Sequence, residues 1–91
     1  YADGIHRVLS NKMSVLIRGR RCAQVGRVCM DQIMVEVPSG LDVQVGDEAI
    51  IVGRQGAEAI TMDEVAELAG TINYEMACGF ALRLERIYRR A

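Results

Sequence analysis

Val25-Gly26-Arg27-Val28-Cys29-Met30-Asp31-Gln32-Ile33-Met34-Val35-Glu36-Val37 sets a polar pair, Asp31-Gln32, between two β-rich runs. From Ile33 onward Ile33, Val35 and Val37 alternate with Met34 and Glu36, the period of a strand with one buried face. Asp31 and Gln32 therefore stand at the mouth of a strand, where a backbone can present an edge to a ligand. The plain reading of such a pair is a β-turn, since Asp bonds its own backbone a residue or two on.

Outward from this stretch the chain reads mostly as strands. Asp3-Gly4 and Ser10-Asn11-Lys12 are turn signals on either side of Ile5 to Leu9. Met13, Val15 and Ile17 alternate with Ser14, Leu16 and Arg18, a strand with one polar-leaning face. Arg18-Gly19-Arg20 turns it back into a second strand from Cys22 to Val28, interrupted at Gly26, where a bulge or a close backbone approach is expected. Pro38-Ser39-Gly40 ends the Ile33 to Val37 strand, because proline cannot donate to a ladder. Leu41, Val43 and Val45 alternate again, and Gly46-Asp47 leads into Glu48 to Val52, a short apolar run typical of a strand buried on both faces.

Gly53-Arg54-Gln55-Gly56 has the spacing of the loop that clamps nucleic-acid backbone in KH domains, but that loop needs a helix on each side. Between strands it reads as a hairpin loop. Thr61 with Glu64 three residues later forms a capping box for a helix from Met62 to Ala69, with Val65, Leu68 and Ala69 on one face and Gly70 as the C-cap. Thr71 is placed to cap a second short helix through Asn73 to Ala77, ended by Gly79. Phe80, Leu82 and Leu84 alternate in a last strand that Ile87-Tyr88 extends, with Arg89-Arg90 in solvent. The expected fold is mainly β: a small β-barrel-like or β-sandwich domain with one or two short helices near the C-terminal third.

Composition narrows the function. Ninety-one residues make one domain at most, and 51% apolar residues suffice for a core. A net charge of −1 and an isoelectric point near 5.8 lack the basic footprint of a nucleic-acid binder. Arg18, Arg20 and Arg21 do cluster, but at a hairpin tip, where charge usually solvates a turn. No apolar run approaches the roughly 20 residues that span a bilayer, and no signal-peptide pattern opens the chain. Cys22, Cys29 and Cys78, with His6 as the single histidine, form neither a disulfide framework nor a zinc motif. They read as reduced thiols of a soluble cytoplasmic protein, and no metal is expected. The opening Tyr1-Ala2-Asp3-Gly4, without a methionine, reads as the middle of a longer chain.

Gly26-Arg27-Val28-Cys29-Met30-Asp31-Gln32 resembles the signature of the C-terminal domain of alanine racemase. Tyr1-Ala2-Asp3-Gly4 and Thr71-Ile72-Asn73-Tyr74-Glu75 match the same family in the same order, and the likeness extends through Gly46-Asp47-Glu48, Gly53 with Gly56, and Arg83-Leu84-Glu85-Arg86-Ile87-Tyr88. Glu85 and Ala23 depart from it, each standing where the family often has proline. Both concern strand geometry rather than chemistry.

The resemblance implies residues 1–91 as a truncated C-terminal β domain, without the family's N-terminal TIM barrel. It implies pyridoxal 5′-phosphate as cofactor, held on a barrel lysine, and interconversion of L- and D-alanine, the latter destined for peptidoglycan. Lys12, the single lysine, lies in a turn where an ammonium is solvated, whereas a cofactor-bearing lysine needs a buried pocket and a lowered pKa. The acid/base tyrosine of the family stands upstream of Tyr1, so no catalytic residue is expected here and the fragment alone is expected to be inactive.

By motif, Met30 matches the residue whose backbone N–H binds the substrate carboxylate. Tyr1, Arg7, Arg27, Asp31 and Ile72 match positions lining the substrate entrance, and Tyr74 matches the tyrosine whose hydroxyl bonds the cofactor phosphate. The family further implies a head-to-tail homodimer with shared sites, no nucleic acid and no membrane. Bare residue types suggest less: a methionine fills core, surface arginines are mostly solvated, and a helix tyrosine packs its ring. Two other readings are a racemase for another amino acid such as serine, and a β-barrel binding module without catalysis.

Overall fold

The computed structural model describes residues 1–80, 84, 85 and 87. Among these residues, six strands and two α-helices follow a short 3-10 turn at Arg7–Leu9. Strands β1 (Ser14–Ile17), β2 (Arg20–Val25), β3 (Met34–Val35) and β4 (Ala49–Ile50) form one antiparallel sheet in the order β3-β2-β1-β4. Strands β5 (Gly53–Gln55) and β6 (Glu58–Ile60) make a separate hairpin, followed by helices α1 (Met62–Ala69) and α2 (Asn73–Cys78). The mainly β expectation holds: the large sheet curls as a half-barrel, with the two short helices in the expected third of the chain.

The β1–β2 hairpin follows from its two turn residues. Arg18 and Gly19 both have positive φ, 52° and 75°, as the twist of a two-residue type I′ turn requires. The polar-leaning face expected of β1 is absent. Met13, Val15, Leu16 and Ile17 are all buried, because they share one core cluster with Leu9, Cys22, Ile60 of β6, Val65 and Ala66 of α1 and Met76 of α2. The arginines at the tip are not merely solvated. Arg18 forks onto Asp47 at 2.9 and 3.2 Å, and Arg21 onto Glu64 at 2.8 and 2.9 Å.

Several boundaries differ from the sequence expectation. Strand β2 ends at Val25 instead of running to Val28, and Gly26 neither bulges it nor meets a close neighbour. Its φ of 81° turns the chain out of the sheet, a conformation open to glycine at low cost. Strand β3 keeps only Met34–Val35 of the expected Ile33 to Val37 run. Leu41 to Val45 forms no ladder: Leu41 and Val43 are half-buried against the core, while Val45 is fully exposed, its segment closed by a turn in which Asp47 donates to the Gln44 carbonyl. Glu48 to Val52 is half-buried rather than buried on both faces, since Ala49 lies open on the edge strand β4. Gly53 to Gln55 is itself a strand, and its turn is Gly56-Ala57.

Helix α1 has the expected bounds. Thr61 Oγ1 accepts from the Glu64 N–H at 3.0 Å, and Gly70 closes the helix in the left-handed conformation. The reciprocal half of the capping box is diverted, because the Glu64 carboxylate takes the Arg21 guanidinium. Thr71 does not cap α2. Ile72 is its N-cap residue, without a side-chain bond, and Asn73 donates instead to Asp63 at 2.7 Å, tying the two helices together. The closing strand expected at 80–88 lies largely outside the described residues. Among those described, no helix is long and apolar enough to cross a membrane.

Candidate functional site

The half-barrel opens into a cavity of about 350 Å³ whose wall includes Val15, Ile17, Ile33, Val35 and Ile51 and whose rim carries Tyr1, Met30, Asp31 and Gln32. The apolar wall follows from the inward period of β1 and β3; the polar rim follows from the loop after β2. Cys29 N–H donates to the Gln32 carbonyl at 3.1 Å, so Met30 and Asp31 form the tip. This bond runs opposite to that of a β-turn, whose acceptor is the first carbonyl. The Cys29 carbonyl takes the Tyr1 nitrogen at 2.6 Å, and the Met30 carbonyl takes the Ala2 N–H at 2.9 Å. The Tyr1-Ala2 segment is thus stitched to the loop through its Cys29 and Met30 carbonyls. Met30 is 59% exposed, and among the described residues its N–H has no acceptor. A free amide on a cavity rim beside a tyrosine ring can receive a carboxylate through a charge-assisted hydrogen bond.

Arg7 and Arg27 meet elsewhere. Together with Val8, Ser10 and Asn11 they line a shallow groove of about 400 Å³. Arg7 links the two places, its guanidinium lying 5.9 Å from the centroid of the Tyr1 ring, within cation–π range. Two guanidiniums in one groove beside the cavity make a local positive field toward small anions.

Ile72 and Tyr74 lie in a third place, an open groove of about 460 Å³ shared with Asp63, Ala66, Glu67, Thr71 and Asn73. Tyr74 is 76% exposed and Ile72 64%, so the packed positions that residue type alone suggests do not hold. The groove is poor in the charge a phosphate needs, since Asp63 and Glu67 are both acidic. The Tyr74 hydroxyl can supply one hydrogen bond to a phosphate, but this groove is no phosphate cradle. Lys12 is exposed, and its amide closes the turn after the 3-10 segment by donating to the Leu9 carbonyl. This chain's described residues therefore fit pyridoxal phosphate at a single contact.

Sequence reasoning overlooked the residues that hold the loop. Gln24, buried at 2% exposure, accepts the Asn11 N–H at 2.7 Å and donates to the Val25 and Gly26 carbonyls at 3.0 Å. Asn11 Oδ1 accepts the Gly26 N–H at 2.7 Å, and Ser10 Oγ accepts the Val28 N–H at 2.8 Å. The available signal was a glutamine at an inward position of a strand, which calls for a polar partner.

A curled β sheet that offers a backbone amide and an aromatic ring at an open cavity defines a β domain that lends an edge to a site. The comparisons with known proteins name the domain. The chain matches the family model "Alanine racemase, C-terminal domain" over residues 1–88, and it belongs to that family. It is 59% identical over 88 residues to the alanine racemase of Symbiobacterium thermophilum, covering 97% of this chain and 23% of that protein. It is 52% identical over 89 residues to that of Halothermothrix orenii, covering 98% and 24%. The crystal structure of alanine racemase from Bacillus anthracis with bound L-Ala-P superposes with a TM-score of 0.91 at 46% identity, over 99% of this chain and 22% of that one. The chain thus spans about a quarter of the relatives it matches.

Proposed function

We propose that this chain is the C-terminal β domain of a cytoplasmic alanine racemase that interconverts L- and D-alanine and supplies D-alanine for peptidoglycan. The observation that carries the reading is the Met30 N–H on the rim of the cavity, without an acceptor among the described residues, in a chain of this family. In this reading an N-terminal barrel holds pyridoxal 5′-phosphate on its lysine, and the acid/base tyrosine precedes Tyr1. The cofactor supplies the electron sink that makes the α-proton of alanine removable.

The residues of this chain bind and orient. Met30 N–H holds the substrate carboxylate, which fixes the α-carbon relative to the reacting groups. Tyr1 and Asp31 border the approach, Arg7 and Arg27 draw the anionic end of alanine toward it, and Ile72 adds an apolar wall. Tyr74 donates its hydroxyl to the cofactor phosphate. Two chains form a head-to-tail homodimer, with Met30, Arg27 and Tyr1 facing the partner's cofactor and Tyr74 serving its own chain's.

The test compares Met30→Ala with Met30→Pro in the full-length enzyme. Alanine keeps the amide and should change KM little. Proline deletes it and should raise KM by roughly 10-fold or more, the loss of a hydrogen bond to a charged group. Equal damage from both, with the fold intact, makes the side chain the ligand and refutes the amide.

A further inference from the structure

We propose that Asn11 is a positioning residue for the Met30 amide, acting through a side-chain latch that replaces the missing sheet ladder beneath the substrate loop. The inference rests on the reading of Met30 as the carboxylate donor.

The backbone shows why a latch is needed. Ladder pairing between β1 and β2 ends at Ser14 with Ala23, and the Gln24 N–H still reaches the Met13 carbonyl at 3.0 Å. Beyond Val25, Gly26 turns the chain out of the sheet, and no strand of the described residues pairs with 26–30. Unpaired backbone so near a core needs other partners. The Ser10-Asn11 turn provides them. Asn11 Oδ1 takes the Gly26 N–H at 2.7 Å, its own N–H bonds Gln24 Oε1 at 2.7 Å, and Gln24 Nε2 returns to the Val25 and Gly26 carbonyls. Two residues on, Ser10 Oγ takes the Val28 N–H at 2.8 Å and itself donates to the Arg7 carbonyl at 2.6 Å.

The segment is thereby held at alternate residues, Gly26 and Val28, and the Val28 side chain is buried. Arg27 is carried between them into the groove it shares with Arg7, and Met30 follows two residues after Val28, its carbonyl held by the Ala2 N–H at 2.9 Å. Asn11 adopts a positive φ of 63°, which asparagine tolerates better than most residues. That conformation lets its backbone N–H and its side-chain oxygen serve the latch together.

The experiment uses the full-length holoenzyme. Asn11→Gly keeps the positive φ and removes the acceptor; Asn11→Asp keeps an acceptor oxygen, and its added charge beside Arg7 and Arg27 is screened by assaying in high salt. Amide exchange of the peptide spanning 26–33 is read by mass spectrometry, together with KM and kcat for alanine and retention of pyridoxal phosphate. Asn11→Gly should speed exchange in that peptide and raise KM about fivefold, the scale of one neutral hydrogen bond. Asn11→Asp should restore both to within about twofold on the same scale. Cofactor retention should stay as in the wild type, since the proposed phosphate contact at Tyr74 lies in a separate groove from the loop, and any fall in kcat should accompany the rise in KM.

Unchanged exchange in Asn11→Gly overturns the latch. Faster exchange with an unchanged KM, while Met30→Pro raises KM, overturns the positioning role and leaves the Met30 reading standing. A joint fall of kcat, cofactor retention and stability makes Asn11 a general fold residue and overturns the proposal as well. An unchanged KM in Met30→Pro removes the underlying reading by itself.

Discussion

Arg7 stacks its guanidinium over the Tyr1 ring, 5.9 Å from the centroid, so that one residue reports on both the apolar cavity and the basic groove. Its charge faces the groove it lines with Arg27, and the aromatic ring limits where it can swing. Arg7→Gln removes the charge and the cation–π contact while keeping a long polar side chain. The full-length enzyme should lose a few-fold in kcat/KM for alanine, and the slope of kcat/KM against ionic strength should flatten, because part of the steering field is gone. A kinetic series from low to high salt checks this; an unchanged slope would place Arg7 outside the approach path.

Tyr74→Phe should weaken cofactor retention without unfolding α2. The phosphate loses a charge-assisted hydrogen bond, and the exposed ring loses no packing. Dialysis of the full-length enzyme followed by the visible cofactor band measures it, and equal retention in variant and wild type would return Tyr74 to an ordinary surface ring.

The proposed shared-site arrangement can be tested by complementation. A full-length chain without its cofactor lysine and one carrying Met30→Pro are each inactive or weak as homodimers. In a mixed dimer one site collects both defects and the other neither. Random pairing then restores activity to about a quarter of wild type, as a symmetric dimer with two crossed sites requires. Replacing Met30→Pro by Tyr74→Phe should give no such recovery, since both defects then fall on the chain that owns the cofactor.

Stability should depend on pH through Glu64. The Arg21 guanidinium, by hydrogen bonding and by charge, holds its carboxyl below the usual carboxylate range. A carboxyl whose pKa is lower in the folded chain than in the unfolded one contributes stability above the unfolded value, near about 4.3, and loses it as pH falls through the folded value. Both partners are partly open to water, so Glu64→Gln should cost only about 0.5–1 kcal/mol at neutral pH. The difference from wild type should shrink as the pH drops below about 4.3. Denaturant melts at pH 7 and pH 3 check the sign.

Gly4→Ala tests how the opening turn docks. A Cβ at Gly4 would lie 2.7 Å from Phe80 Cδ1 and 3.0 Å from the Gly79 carbonyl oxygen, at a φ of 118°. Gly46 has a comparable φ of 99° and nothing within 4 Å of the same atom. Gly46→Ala therefore reports the backbone strain alone, about 1 kcal/mol. Gly4→Ala should cost about 1–3 kcal/mol more, the scale of overpacking. Equal thermal shifts would mean that the segment at Gly79 yields freely.

Local chemistry made part of this protein legible. The I′ turn at Arg18-Gly19, the Thr61 cap, the Gly70 stop and the bounds of α1 depend on residues within a few positions of one another, so periodicity and capping rules suffice for them. The polar pair Asp31-Gln32 could likewise be placed just ahead of a strand from the alternation that follows it. Where an element needs a distant partner, the sequence was silent. The alternation of Leu41, Val43 and Val45 looks like a strand but has no ladder partner among the described residues, and Leu16, on the face expected to lean polar, is buried by core residues that include Ile60, Val65 and Ala66 from distant elements. The Glu64 carboxylate, which the capping box assigns to its own helix, is won by Arg21, 43 residues away in the chain. The separation of the candidate residues into a cavity, a basic groove and a helix groove was likewise decided in three dimensions. So was the latch from Asn11 and Gln24 to Gly26: their polar groups are satisfied across 13 and 15 residues of chain, a pairing that prolongs the antiparallel register of Ser14 with Ala23 beyond the end of the β1–β2 ladder.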